Sequence, residues 1–136
     1  MPDDAIGCGS HRAEGVVVPR FIISFGAHAM DHIPETDMDS AADAAHAVVQ
    51  EIIDAGEYVL AGAVEEGSCS IVAVDKTVAD GPDPWEISGV TIVEVASRDD
   101  ALAWAAKIAI ACRCAQEVRA IGPDPLVDAM VLSAQS

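Results

Sequence analysis

The hexapeptide Val90-Thr91-Ile92-Val93-Glu94-Val95 is the most β-branched stretch of the chain. Branched side chains are stiff at χ1 and fit a pleated surface, so this segment reads as a central strand. Val90, Ile92 and Glu94 alternate with Thr91, Val93 and Val95. Large apolar groups therefore fall on both faces of whatever sheet it joins.

The chain on either side of this strand reads in both directions. Towards the C-terminus, Ser97 is placed to cap a helix, with Asp100 three residues on. Leu102, Ala105, Ile108, Ala109 and Cys112 make the expected buried stripe of that helix. Residues 116–121 read as a last strand, stopped by Gly122-Pro123, and residues 124–133 suit a short further helix. Towards the N-terminus, residues 80–85 hold two prolines and a glycine and read as a turn, in which Asp80 caps, Gly81 admits positive φ and Pro82 fixes the next φ. Residues 58–64 and 70–74 read as two strands of a hairpin closed by Glu65-Glu66-Gly67-Ser68.

Residues 41–55 have helical period, with Ala45, Val48, Val49, Ile52 and Ile53 inward, Asp39 or Ser40 as cap and Gly56 as the stop. Residues 20–25 alternate, with Phe21, Ile23 and Phe25 on one face. Residues 1–18 carry no periodicity and read as a loose arm.

The order is strand, helix, strand, strand, strand, helix, strand. Two β-α-β halves around an antiparallel hairpin are the ferredoxin-like α+β plan, with both helices on one face of the sheet. The other face is too apolar to stay wet, and an uncovered apolar face of that size predicts a homodimer. The domain division expected is an arm at 1–18, a domain at 19–122 and a C-terminal extension at 123–136.

Composition narrows the function classes. Seven Lys and Arg stand against 23 Asp and Glu, a formal charge of −16. That field repels phosphate, which argues against binding to nucleic acid or an anionic membrane. Met1-Pro2-Asp3-Asp4 has no basic start and no apolar run behind it, so the expected location is the cytoplasm. Cys8, Cys69, Cys112 and Cys114 make no C-x-x-C pair, and reduced, hydrophobic roles are expected of them, with a reactive thiol at Cys112 or Cys114 as the alternative. No glycine-rich phosphate loop, zinc signature or dinucleotide fingerprint is present, so no cofactor is expected.

Four short blocks carry a family likeness. They are Val78-Ala79-Asp80-Gly81-Pro82, Gly89 with the central strand, Ala101-Leu102-Ala103-Trp104-Ala105-Ala106-Lys107, and Glu117-Val118-Arg119. In this order they resemble the YCII-related family, in the branch named for its D-G-P-F motif. Trp85 stands near the place of that motif's phenylalanine, Ser88 replaces the first of two glycines, and Ala120 replaces a proline. The resemblance implies a ferredoxin-like fold that dimerises through its sheet, the dimeric α+β barrel arrangement. It also implies a cleft with a His–Asp pair, for which the nearest residues here are His46 and Asp54.

Each candidate has a plainer reading beside the functional one. Asp43, His46, Gln50 and Asp54 make an ordinary solvated helix stripe; as catalysts, His46 would be a general base and Asp54 its supporting carboxylate. Eight residues of helix separate the two Cα atoms by about 12 Å, so only a bridging molecule or a partner subunit joins them. Asp80 is a turn former or a group at a pocket mouth, Trp85 a possible pocket filler, and Arg119 the cation for an anionic ligand. Trp104 reads as core packing rather than as a stacking platform. His28 and His32 are four apart, but Gly26 before and Pro34 after favour a polar loop over a metal site. The expected function is a small-molecule enzyme of lyase or isomerase type working from a His/Asp cleft; the alternative is a non-catalytic ligand-binding or regulatory dimer.

Overall fold

The structure, a computed structural model, describes residues 18–65, 69–81 and 86–135. Along them run β1 (Arg20–Gly26), α1 (Met38–Asp54), β2 (Tyr58–Ala63), β3 (Cys69–Val72), β4 (Val78–Gly81), β5 (Ile87–Glu94), α2 (Arg98–Cys112), β6 (Glu117–Ile121) and α3 (Pro125–Ala134). A 3-10 turn, Glu35–Asp37, leads into α1. The fold is mixed α+β with antiparallel sheets. No helix among the described residues is long and apolar enough to cross a membrane.

The main sheet has the order β2-β5-β1-β6, and all of its neighbours are antiparallel. The β-branched strand β5 is central, paired on both sides, as its composition requires. Phe21 lies opposite Val93, and Ile23 opposite Thr91 and Val118, so these share one face. Helices α1 and α2 pack on that face, where Ile23, Ile52, Val93 and Val95 are the fully buried anchors. On the other face Ile22 and Leu60 both lie opposite Ile92, and Arg119 lies beside Ile22.

Local chemistry sets the helix ends. Gly56 has φ 74°, and it donates to the Ile53 carbonyl (2.9 Å) while Glu57 donates to that of Ile52 (3.1 Å). That double closure needs a left-handed residue, which glycine adopts without strain. Ser97 accepts from the Asp100 N–H at 3.2 Å and caps α2, as its position predicts. Asp124 does the same for α3 through Val127 N–H at 3.1 Å. At α1 the structure differs from expectation. The helix starts at Met38, neither Asp39 nor Ser40 caps it, and the Ser40 hydroxyl instead donates to the Asp37 carbonyl. The preceding 3-10 turn supplies the lead-in that a cap would otherwise provide.

Two further expectations are corrected. Strand β2 does not form a hairpin with residues 70–74. It pairs with β5, while β3 pairs with β4 in a separate two-stranded sheet. The deciding signal is Asp75-Lys76-Thr77: Lys76 takes φ 77°, and Asp75 accepts from both the Thr77 N–H (3.0 Å) and hydroxyl (2.7 Å). This Asx-type closure makes a tight local turn, so β3 meets the next segment and not the previous one. Asp80 and Gly81 accordingly lie in β4 and not in a turn. The stripe on α2 is met in part: Ala105, Ile108 and Cys112 are buried as expected, Ala101 and Ala111 join them, and Leu102 is 43% exposed. A helix rich in alanine has little contrast around its circumference, so periodicity locates its buried face poorly. The expected arm falls, apart from Val18, outside the described residues, as do Pro82 and Trp85.

Candidate functional site

Between α1, the edge strand β2 and the N-terminal half of β5 lies a cavity of about 340 Å³. It exists because the facing residues are small. Ala41, Ala42 and Ala45 come from the helix, and Ala61, Gly62 and Gly89 from the strands. Met30, from the segment between β1 and α1, Met38, the first residue of α1, and Phe25 of β1 also line it. The Phe25 ring sits where a Gly89 side chain would be, so glycine is required there. The volume lies at the small end of ordinary ligand pockets, roughly 300–1,000 Å³.

Four side chains with polar atoms line these apolar walls: His46, Tyr58, Thr91 and Cys112. His46 and Tyr58 are exposed and stand at the rim. Neither side chain has a hydrogen-bond or ion-pair partner among the described residues. Thr91 is only 8% exposed, and its hydroxyl has no partner there either. Cys112 is buried at the α2 side; burial pushes its thiol above the ordinary range, and Cys114 nearby adds to the effect. The thiol is therefore neutral at pH 7 and acts as a weak donor rather than a nucleophile.

The residues singled out in the sequence do not converge. Among the described catalytic and ligand-binding candidates, His46 alone lines the cavity, and Trp85 lies outside the described residues. Asp54, on the same helix, accepts from the Gln50 amide at 2.9 Å and does not line it. Asp80 accepts from the Ser70 hydroxyl at 2.7 Å on the β3–β4 sheet. Arg119 lies on the main-sheet face opposite α1 and α2 and donates to Glu117 at 2.9 Å and to Ser24 at 3.5 Å. Trp104 donates its indole N–H to Glu57 at 2.8 Å, with the Lys107 ammonium 5.4 Å from its ring centroid, so it braces α2 against the end of α1. His28 bonds Asp31 through Nδ1 at 2.7 Å on the exposed surface. No cluster of three or more His, Cys, Asp or Glu among the described residues is arranged to hold a metal ion.

Thr91 and Tyr58 were not legible as site residues, and Cys112 was legible only as a candidate reactive thiol. A threonine inside a β-branched run looks like strand composition, and only its buried hydroxyl, without a partner among the described residues, distinguishes it. No protein-family model and no curated protein matches the chain.

Proposed function

We propose that this chain is a small-molecule-binding domain of YCII-related type, a homodimer whose ligand sits in the cavity between α1, β2 and β5. The observation that carries this reading is a largely apolar cavity of about 340 Å³ lined by Thr91, a buried residue whose hydroxyl has no partner among the described residues. The main-sheet order β2-β5-β1-β6, with two helices on one face, supports the ferredoxin-like plan. Leu60, Ile92 and Ile22, side by side on the other face, support its pairing with a second copy in the manner of a dimeric α+β barrel. The four blocks of YCII-like sequence support the family.

A second reading, a lyase or isomerase, rests on His46 at the rim of the same cavity. Its imidazole would then be the general base, without the help of Asp54, which Gln50 already engages.

Filling the cavity tests the first reading. Ala42 lines the cavity from an exposed helix position, so Ala42→Phe occupies the space without opening the core. Fragments that bind the wild type in a ligand-observed magnetic resonance screen should lose binding to this variant. Equal binding to both would refute the site. His46→Ala separates the two readings, since it abolishes turnover of a bound substrate under the second and leaves binding within about threefold under the first.

A further inference from the structure

We propose that the cavity selects a compact, uncharged and mostly apolar molecule carrying one hydrogen-bonding oxygen, and that Thr91 recognises that oxygen. The inference rests on the cavity being a ligand site, as proposed above, and adds the chemistry of the ligand.

The hydroxyl is the starting point. Buried polar side-chain atoms in folded proteins are nearly always hydrogen-bonded, and each exception asks for a partner. Thr91 is more than nine-tenths buried, lines the cavity, and has no side-chain hydrogen bond among the described residues. Its strand register explains the placement. Thr91 lies opposite Ile23 on one side and Ala61 on the other, so it shares the helix-covered face with two groups that cannot bond it. A hydroxyl both donates and accepts, which suits an alcohol, a phenol or a carbonyl equally.

The walls set the rest of the ligand. Met30, Met38, Phe25 and Val49 offer dispersion and apolar area but no charge. Among the described residues no Lys, Arg, Asp or Glu lines the cavity, and His46 stands at its exposed rim. Taking a carboxylate or ammonium group into such walls without a counter-ion is strongly unfavourable. Charges on neighbouring positions of the sheet are engaged on its opposite face: Glu94 pairs with Arg20 at 2.6 Å, and Arg119 donates to Glu117 at 2.9 Å. The acidic surface acts in the same sense against anions.

The test uses three near-isosteric probes on the full chain: para-cresol, para-xylene and para-toluate, which differ in carrying a hydroxyl, a methyl or a carboxylate. Each is titrated by calorimetry into wild type and into Thr91→Val, which keeps the side-chain shape and removes the hydroxyl. In the wild type, para-cresol should bind about 3- to 10-fold more tightly than para-xylene, the range for one neutral hydrogen bond. Para-toluate should bind more weakly than either. In Thr91→Val the cresol preference should vanish while xylene affinity stays within about twofold. Equal wild-type affinities for cresol and xylene, or an undiminished preference in the variant, would overturn the role of Thr91. Tightest binding by toluate would overturn the uncharged class. Should the variant fail to fold, the ranking of the three probes on wild type still decides. Binding of none of the three would overturn the ligand-site reading itself.

Discussion

The Phe25 ring occupies the space that a side chain on Gly89 would need; a Cβ at Gly89 would overlap ring atoms Cε2 and Cζ. The two residues face each other across the β1–β5 ladder, and both line the cavity. Gly89→Ala should therefore push the ring out of its position. Overpacking of this kind costs about 1–3 kcal/mol. For a domain of this size that lowers Tm by several degrees, and a scanning calorimetry trace with unchanged Tm would contradict the contact.

The place of Leu102 outside the buried face of α2 is checked by a pair of substitutions. Ile108 is 7% exposed and touches both the core and the cavity, so Ile108→Ala should destabilise by about 2–4 kcal/mol. Leu102 is 43% exposed, and Leu102→Ala should stay within about 1 kcal/mol. A urea midpoint that falls as far for Leu102→Ala as for Ile108→Ala would put Leu102 back in the buried stripe that the periodicity suggests.

The thiol of Cys112 links pH to stability. Burial raises its pKa above the ordinary thiol value of 9.0, so the unfolded chain gives up this proton at lower pH than the folded one. Its contribution is full below the ordinary thiol range and is lost as pH rises through and above it. Between about pH 8 and about pH 10, the wild-type urea midpoint should fall more steeply than that of Cys112→Ala. Parallel declines would show that the thiol is not shielded.

The sheet face opposite α1 and α2, where Arg20 also reaches Asp128 of α3 at 3.7 Å, predicts self-association. Leu60 and Ile121 are more than 40% exposed there, beside Ile92 and Ile22. An apolar face of this kind is covered most simply by its own copy about a two-fold axis. Sedimentation at micromolar concentration should give a dimer that tightens with added salt, because the chain carries a formal charge of −16 and salt screens the repulsion between copies. A 14 kDa species at about 100 μM in physiological salt would contradict it.

Legibility in the sequence followed contrast. The strand 90–95, the Ser97 cap and the Gly56 stop were readable because each rests on a local rule with one strong signal. The partner of β2 was not. Strand pairing is a long-range choice, and the Asp75–Thr77 turn that decided it looked like unpatterned loop. His46 was singled out through the His–Asp pair that the family resemblance implies, and it lines the cavity while Asp54 does not. Thr91 was hidden, since its significance lies in a missing hydrogen bond, and no sequence pattern reports what a hydroxyl fails to touch.

The most direct measurement of whether the cavity binds ligand follows the methionine methyl groups by magnetic resonance during titration with para-cresol. Met30 and Met38 line the cavity, whereas Met130 lies on the exposed α3. The expected result is saturable shifts at Met30 and Met38 with one common affinity, and none at Met130. Methyl signals of Met30 and Met38 that stay in place, or that move no more than that of Met130, would contradict the site.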